Sequence, residues 1–195
     1  MRRVTFLFLA GLAVAALFTV ALTVLTQPGE GERQPDVVYV PTPHEVVDKM
    51  LEMADVRPGD VLYDLGCGDA RIPVAASKKF GVKSWGFDIN PVRVKESLEN
   101  VAKNNLQHLV TIEEQDLFEL DLSKADVVTL YLLPRLNVKL IPQLDQLKPG
   151  SRVVSHDFDM AGVRPQREVS MRVGDREHRV YLWTTPLEKV KPGAE

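Results

Sequence analysis

The feature that most constrains this chain is an abrupt junction between two hydrophobic periods. The stretch "VLYDLGCGDARIPVAA" carries a buried-strand pattern to Asp64, places Gly66 and Gly68 two residues apart, and turns at once to helical spacing. The same alternation continues downstream. Strands are predicted at "DVLYDL", "VKSWGFDI", "LVTIEEQD", "ADVVTLYLL" and "SRVVSHDF", and helices at "ARIPVAASKKF", "PVRVKESLENVAKNN" and "PRLNVKLIPQLDQL". A leading helix is expected in "PTPHEVVDKMLEMADVRPGD", where Val46, Val47, Met50, Leu51 and Met53 fall on one face. The rhythm then changes: "REVSMRV", a Gly174-Asp175 turn and "HRVYLWTT" read as a β-hairpin. Strands alternating with helices imply an α/β fold, a parallel sheet covered on both faces. The hairpin is expected to add an antiparallel edge strand.

In such a sheet, ligands bind beyond the carboxyl ends of the strands, where the strand order reverses. Gly66 and Gly68 allow a sharp turn there and let backbone amides approach a ligand with no Cβ between them. The helix that follows offers free amides and a positive dipole end. Two more acids stand at successive strand ends. Asp88 closes the second strand about twenty residues past the glycines, where a carboxylate can accept both hydroxyls of a ribose. Asp116 closes the third, where its carboxylate and the amide of Leu117 can reach an adenine edge. Three acids in order around a glycine turn point to one nucleoside-bearing ligand. The pattern departs from G-x-G-x-x-G, since position 71 is an arginine, so a dinucleotide pyrophosphate is not expected. Asp64 suits an ammonium better than a phosphate.

The chain divides unevenly. From Val4 to Leu25 no residue is charged and most are apolar, enough to cross about 30 Å of hydrocarbon as a helix. Residues 1–25 therefore read as a single-span membrane anchor or a signal peptide, and the length favours the anchor. Residues 26–36 form a polar linker, 37–187 the folded domain and 188–195 a tail. Arg2 and Arg3 ahead of the span favour an exported domain by the positive-inside rule. The domain's need for a cytosolic cosubstrate, inferred below, favours the cytoplasmic face. The net charge of -3 supplies no electrostatic footprint for nucleic acid. A single cysteine, Cys67, excludes an internal disulfide and a multi-cysteine zinc site.

"DLGCGDARI", "GFDIN" and "EEQDLFEL" resemble motifs of the class I S-adenosylmethionine (SAM) methyltransferases. That resemblance implies a seven-stranded Rossmann-like sheet with SAM as cofactor. It implies a cofactor set of Asp64, Gly66, Gly68, Asp88, Asn90, Asp116 and Leu117. "YVPTPHEVVDKML", "VVTLYLLPRLN" and "RVVSHDFDM" are similar to a narrower group. These are the small archaeal protein-lysine methyltransferases and the mitochondrial lysine methyltransferases of the ATP synthase c subunit and the adenine nucleotide translocase. The likeness covers roughly Val38 to Tyr181 and implies a protein substrate bearing an accessible lysine. Tyr39 and Thr42, in the leading segment, are expected to fold over the cofactor.

A lysine ammonium must lose a proton before its nitrogen can attack a methyl group. Candidates to assist are Tyr131 at the fourth strand end, with His156, Asp157 and Asp159 after the fifth. Asp157 and Asp159 with Asp126 could suggest a metal site, but Asp126 opens its strand at the opposite end of the sheet, so no metal is expected. The loop "YLLPRLN" lacks the Asn/Asp-Pro-Pro-Tyr/Phe pattern that holds a base amino group. Two other functions fit the same chain: a membrane-associated lipid or quinone methyltransferase, and a SAM-binding scaffold without catalysis.

Overall fold

The computed structural model describes residues 39–190; the expected anchor and linker lie outside the described residues. The elements run α1 (His44–Met53), β1 (Val61–Leu65), α2 (Arg71–Phe80), β2 (Lys83–Asp88), α3 (Pro91–Lys103), β3 (Val110–Glu114), β4 (Val127–Leu130), α4 (Pro134–Leu144), β5 (Arg152–His156), β6 (Arg167–Val173) and β7 (Arg176–Thr184). A 3-10 turn, Leu117–Glu119, lies between β3 and β4. Local chemistry explains the helix starts. α3 has Pro91 at its first position, and Asn90 Oδ1 accepts a hydrogen bond from Val92 N at 2.9 Å. α1 follows Pro43 directly.

The strands form one sheet in the order β3-β2-β1-β4-β5-β7-β6. β1 to β5 pair in parallel, and β7 is antiparallel to both β5 and β6. The hairpin thus enters differently from the expected edge position. Its antiparallel strand β7 lies inside the sheet, and the edge strand β6 runs in the direction of β1 to β5. Burial explains the choice. Val180, Tyr181 and Trp183 of β7 are buried, whereas no residue of β6 is fully buried and it carries Arg167, Glu168 and Arg172.

Strand alternation sends side chains into two cores. On one face Leu62, Val127, Val154 and Val180 pack with Val46, Val47, Met50 and Leu51 of α1 and Ile72 and Ala76 of α2. On the other, Leu65, Val128, Leu130, Val153 and Trp183 pack with Leu136, Leu140 and Leu144 of α4. The chain beyond β7 closes over this second face. Glu188 O accepts from Arg164 N, and Val190 N donates to Gly162 O, both at 2.9 Å, so the start of the expected tail belongs to the packed domain. Leu140 is fully buried in the second core. Leu140→Ala is expected to lower unfolding stability by about 2–5 kcal/mol, measured as a lower urea midpoint at unchanged slope.

Candidate active site

The order reverses between β1 and β4, and beyond the carboxyl ends of these strands lies a cleft of about 590 Å³, within the size range of small-molecule sites. Its floor is the turn after β1. Gly66 N and Cys67 N both donate to Phe87 O at 2.9 Å, which draws the end of β1 against β2. Gly66 has φ +81° and Gly68 φ +59°, a region that costs other residues strain. A Cβ on Gly66 would press on Leu132 Cδ2 at 3.0 Å, and one on Gly68 would run into the Tyr39 ring.

Asp88 braces this turn. Its Oδ2 accepts from Gly68 N at 3.0 Å and its Oδ1 from Asn90 N at 2.9 Å. Asp88 also lines the cleft. Burial raises its carboxyl above the ordinary value, against the pull of those backbone amides and of Arg93. Asp116 Oδ1 accepts from Phe118 N at 2.9 Å, which shapes the 3-10 turn so that Asp116, Leu117 and Phe118 all face the cleft. Gln143 of α4 holds this wall by donating to Leu117 O at 3.2 Å and Leu120 O at 3.0 Å. Lys139 lies 3.6 Å from the centre of the Phe118 ring.

Asp64 is 3% exposed at the inner end of the cleft, where Thr129 of β4 donates to its Oδ1 at 2.5 Å. Burial pushes this carboxyl up to about 7, opposed by the Thr129 hydroxyl and reinforced by Asp69 and Asp88. A buried acid poised in this way lacks a cation, and a ligand ammonium would supply one. The start of α2 is a poorer anion site than expected: Pro73 has no amide proton, and Arg71 N donates to Asp69 Oδ1 at 3.2 Å. Together the residues fit a nucleoside joined to an amino acid and do not call for a phosphate.

The leading segment forms the outer wall, and sequence reasoning missed what fastens it. Arg71 grips Asp69 through two nitrogens, Nε to Oδ1 at 2.9 Å and Nη2 to Oδ2 at 2.6 Å, and donates Nη1 to Thr42 O at 2.8 Å. Arg93 sits 4.8 Å above the Tyr39 ring. Burial, with Asp69 adding to it, pushes the Tyr39 phenol up to about 12. No local motif marks Arg71 or Arg93 for these tasks.

Of the residues expected to handle the acceptor, Tyr131 lines the cleft; His156 and Asp157 stand behind it. His156 is fully buried, with Nδ1 3.1 Å from Thr42 Oγ1 and Nε2 2.8 Å from His178 Nδ1. Desolvation holds its pKa down to about 4 despite nearby Asp157, so the ring is neutral near pH 7. The Tyr131 ring lies over it at 3.9 Å between centroids. Asp159 is exposed. Asp126 sits at the amino end of β4, accepting from Val61 N at 2.9 Å and Lys148 Nζ at 2.7 Å, so it forms no site with Asp157 and Asp159. Ligand-bearing atoms of His156, Asp157 and His178 do converge, all within 4.8 Å of one another. Arg176 Nη2 already places a positive charge 2.5 Å from the Asp157 Oδ2 of this group. Cys67 is buried, and desolvation raises its thiol well above the ordinary range, which keeps it an unreactive thiol.

This sheet order, with an acid-lined cleft over a glycine turn at the strand-order reversal, is that of a SAM-dependent methyltransferase, and SAM is the cofactor. Residues 64–167 match the model of the ANTKMT methyltransferase domain, and the chain belongs to that family. It is 46% identical over 151 residues to a protein-lysine N-methyltransferase of Saccharolobus islandicus, covering 76% of this chain and 94% of the relative. It is 29% identical over 121 residues to a Xenopus laevis lysine N-methyltransferase of the ATP synthase c subunit, spanning about half of that protein's length. Among solved structures, one described as an RNA methyltransferase from Salinibacter ruber in complex with S-adenosyl-L-homocysteine superposes with a TM-score of 0.71. It shares 47% identity and covers 80% of this chain and 99% of its own.

Two outcomes are expected. Asp88→Ala should weaken SAM binding about 10- to 150-fold by calorimetry, the loss of hydrogen bonds to a charged acceptor. Asp64→Asn should also bind SAM poorly, yet be the more stable protein without it. The folded-state value of Asp64 lies above its unfolded one, so ionising it costs stability as pH rises from about 4 through 7. The cofactor-free variant should therefore melt a few degrees above the parent at pH 8, the gap closing toward pH 4.

Proposed function

We propose that this enzyme transfers the methyl group of SAM to the ε-amine of a lysine in a protein. The observation that carries the reading is the likeness to the archaeal lysine methyltransferase over nearly all of that protein's length. The lining of the cleft agrees with it: Tyr131, Leu132 and Leu136 offer an aromatic and apolar wall. No cap domain encloses the mouth among the described residues, which suits a side chain reaching in from a large partner.

Bound SAM supplies a methyl group made electrophilic by its positively charged sulfur. Asp64 would hold the amino-acid ammonium, Asp88 the ribose hydroxyls, and Asp116 with the Leu117 amide the adenine edge. Phe118 and Leu132 provide apolar walls. The chain's remaining task is to present a neutral amine. Lysine ionises near 10.4 in water, and entry between Tyr131 and the apolar wall disfavours the ammonium by desolvation.

The Salinibacter relative's description makes RNA the alternative acceptor. The net charge of -3 and the loop "YLLPRLN", with no base-holding motif, speak for protein. We further infer that the apolar run from Val4 to Leu25 tethers the domain to a membrane on the side that contains SAM, which favours membrane-proximal acceptors. Tritiated SAM added to host protein and RNA fractions should label protein, and mass spectrometry should place the methyl on lysine. Label confined to RNA or lipid would overturn the lysine reading. Protease added to intact cells should leave the domain uncut while the chain sediments with membranes.

A further inference from the structure

The C-terminal hairpin reaches the cleft wall at Asp157 and Tyr131. Asp157 has φ +59°, a left-handed conformation that aspartate tolerates better than most residues. Its backbone amide donates to Arg179 O at 2.7 Å, and its Oδ1 accepts from Arg179 N at 3.0 Å. β7 therefore holds both the backbone and the carboxylate of Asp157. The other oxygen, Oδ2, lies 2.5 Å from Arg176 Nη2, 3.3 Å from the Tyr131 hydroxyl, 3.3 Å from His156 Nε2 and 3.7 Å from His178 Nδ1. Arg176 Nη2 is also 3.4 Å from the Tyr131 oxygen. Tyrosine, aspartate and arginine thus close a triangle at the cleft wall.

The donors and acceptors in this triangle favour one arrangement. A guanidinium only donates and an ionised carboxylate only accepts. The phenolic proton of Tyr131 then points to Asp157 Oδ2, 3.3 Å away, while the phenolic oxygen receives an N–H from Arg176 at 3.4 Å. One lone pair remains, and Tyr131 is the member of the triangle that lines the cleft. The neutral His156 ring beneath Tyr131 adds no charge, so the arginine and aspartate cancel.

We infer that Arg176 and Asp157 set the hydrogen-bond polarity of Tyr131, so that its hydroxyl offers the cleft a lone pair and no proton. Tyr131 is then the catalytic residue that accepts an N–H from the acceptor nitrogen, and Arg176 and Asp157 are its positioning residues. A nitrogen held by one N–H has its lone pair free to turn toward the methyl group. The ammonium proton is lost to solvent before transfer. The N–C bond then forms as the C–S bond breaks, the electron pair stays on sulfur, and the product leaves as a methylammonium. An acceptor with no N–H cannot make this contact, so the wall selects for amines. Nothing in the sequence joins Arg176 to Tyr131, 45 residues earlier.

The inference rests on the lysine reading, and a mutant cycle separates the two. The full-length enzyme is assayed with tritiated SAM on the protein fraction of its own host, with S-adenosylhomocysteine affinity measured by calorimetry. Tyr131→Phe keeps the ring and should lower kcat about 10- to 100-fold, with cofactor affinity within about 3-fold of the parent. Arg176→Ala, at an exposed position that should not disturb folding, should lower kcat about 3- to 10-fold, and Arg176→Lys should recover most of it. The double variant Tyr131→Phe/Arg176→Ala should turn over within about 2-fold of Tyr131→Phe alone, because Arg176 acts through the hydroxyl. Fully additive losses, or an Arg176 effect on acceptor KM alone, would overturn the inference while leaving lysine methylation standing. No label in protein with the parent enzyme would overturn the lysine reading and the inference with it.

Discussion

The tight turn after β1 is the constraint on which the rest of the site depends. Two successive amides, of Gly66 and Cys67, converge on Phe87 O, and a third, of Gly68, is held by Asp88. Strand ends that would diverge with the sheet twist are thereby tied together at the base of the cleft. The tie works only because positions 66 and 68 lack side chains: one Cβ would meet α4's leading loop at Leu132, the other the leading segment at Tyr39. The same carboxylate that braces the turn faces the cleft, so loosening the turn also displaces an acid of the cleft wall.

Thr42 plays the corresponding part for the outer wall. Its carbonyl is held by Arg71 and its hydroxyl by His156, which in turn meets His178. The leading segment, the helix after β1, strand β5 and strand β7 therefore meet at one buried threonine. This gives the C-terminal hairpin a role beyond completing the sheet. Through His178 it supports the leading segment at the cleft, and through Arg176 and Asp157 it braces the cleft wall at Tyr131.

Much of this was legible in the chain because local period and chemistry agreed. The strands and helices follow from apolar spacing, and Val46, Val47, Met50, Leu51 and Met53 are all buried as their helical spacing implies. Asp64, Gly66, Asp88, Asn90, Asp116 and Leu117 all line the cleft, since strand ends in a parallel sheet point to one side. Gly68 lies beneath the wall and serves it by making room for Tyr39. The hairpin was visible; its insertion with β7 inside was not, because the comparative burial of two β-rich segments depends on what packs against them.

The sequence by itself determined the order of elements, the position of the turn and the acids around it, since these depend on residues within one strand and the helix that follows. Tertiary structure alone decided which side chains became partners across the fold. Arg71 clasping Thr42, Thr129 donating to Asp64, and Arg176 joining Asp157 and Tyr131 each bridge residues 19 to 65 positions apart on at least one contact. Such contacts carry no periodic signal. They arise when the sheet has brought distant strands side by side and each buried polar group must find a partner within about 3 Å.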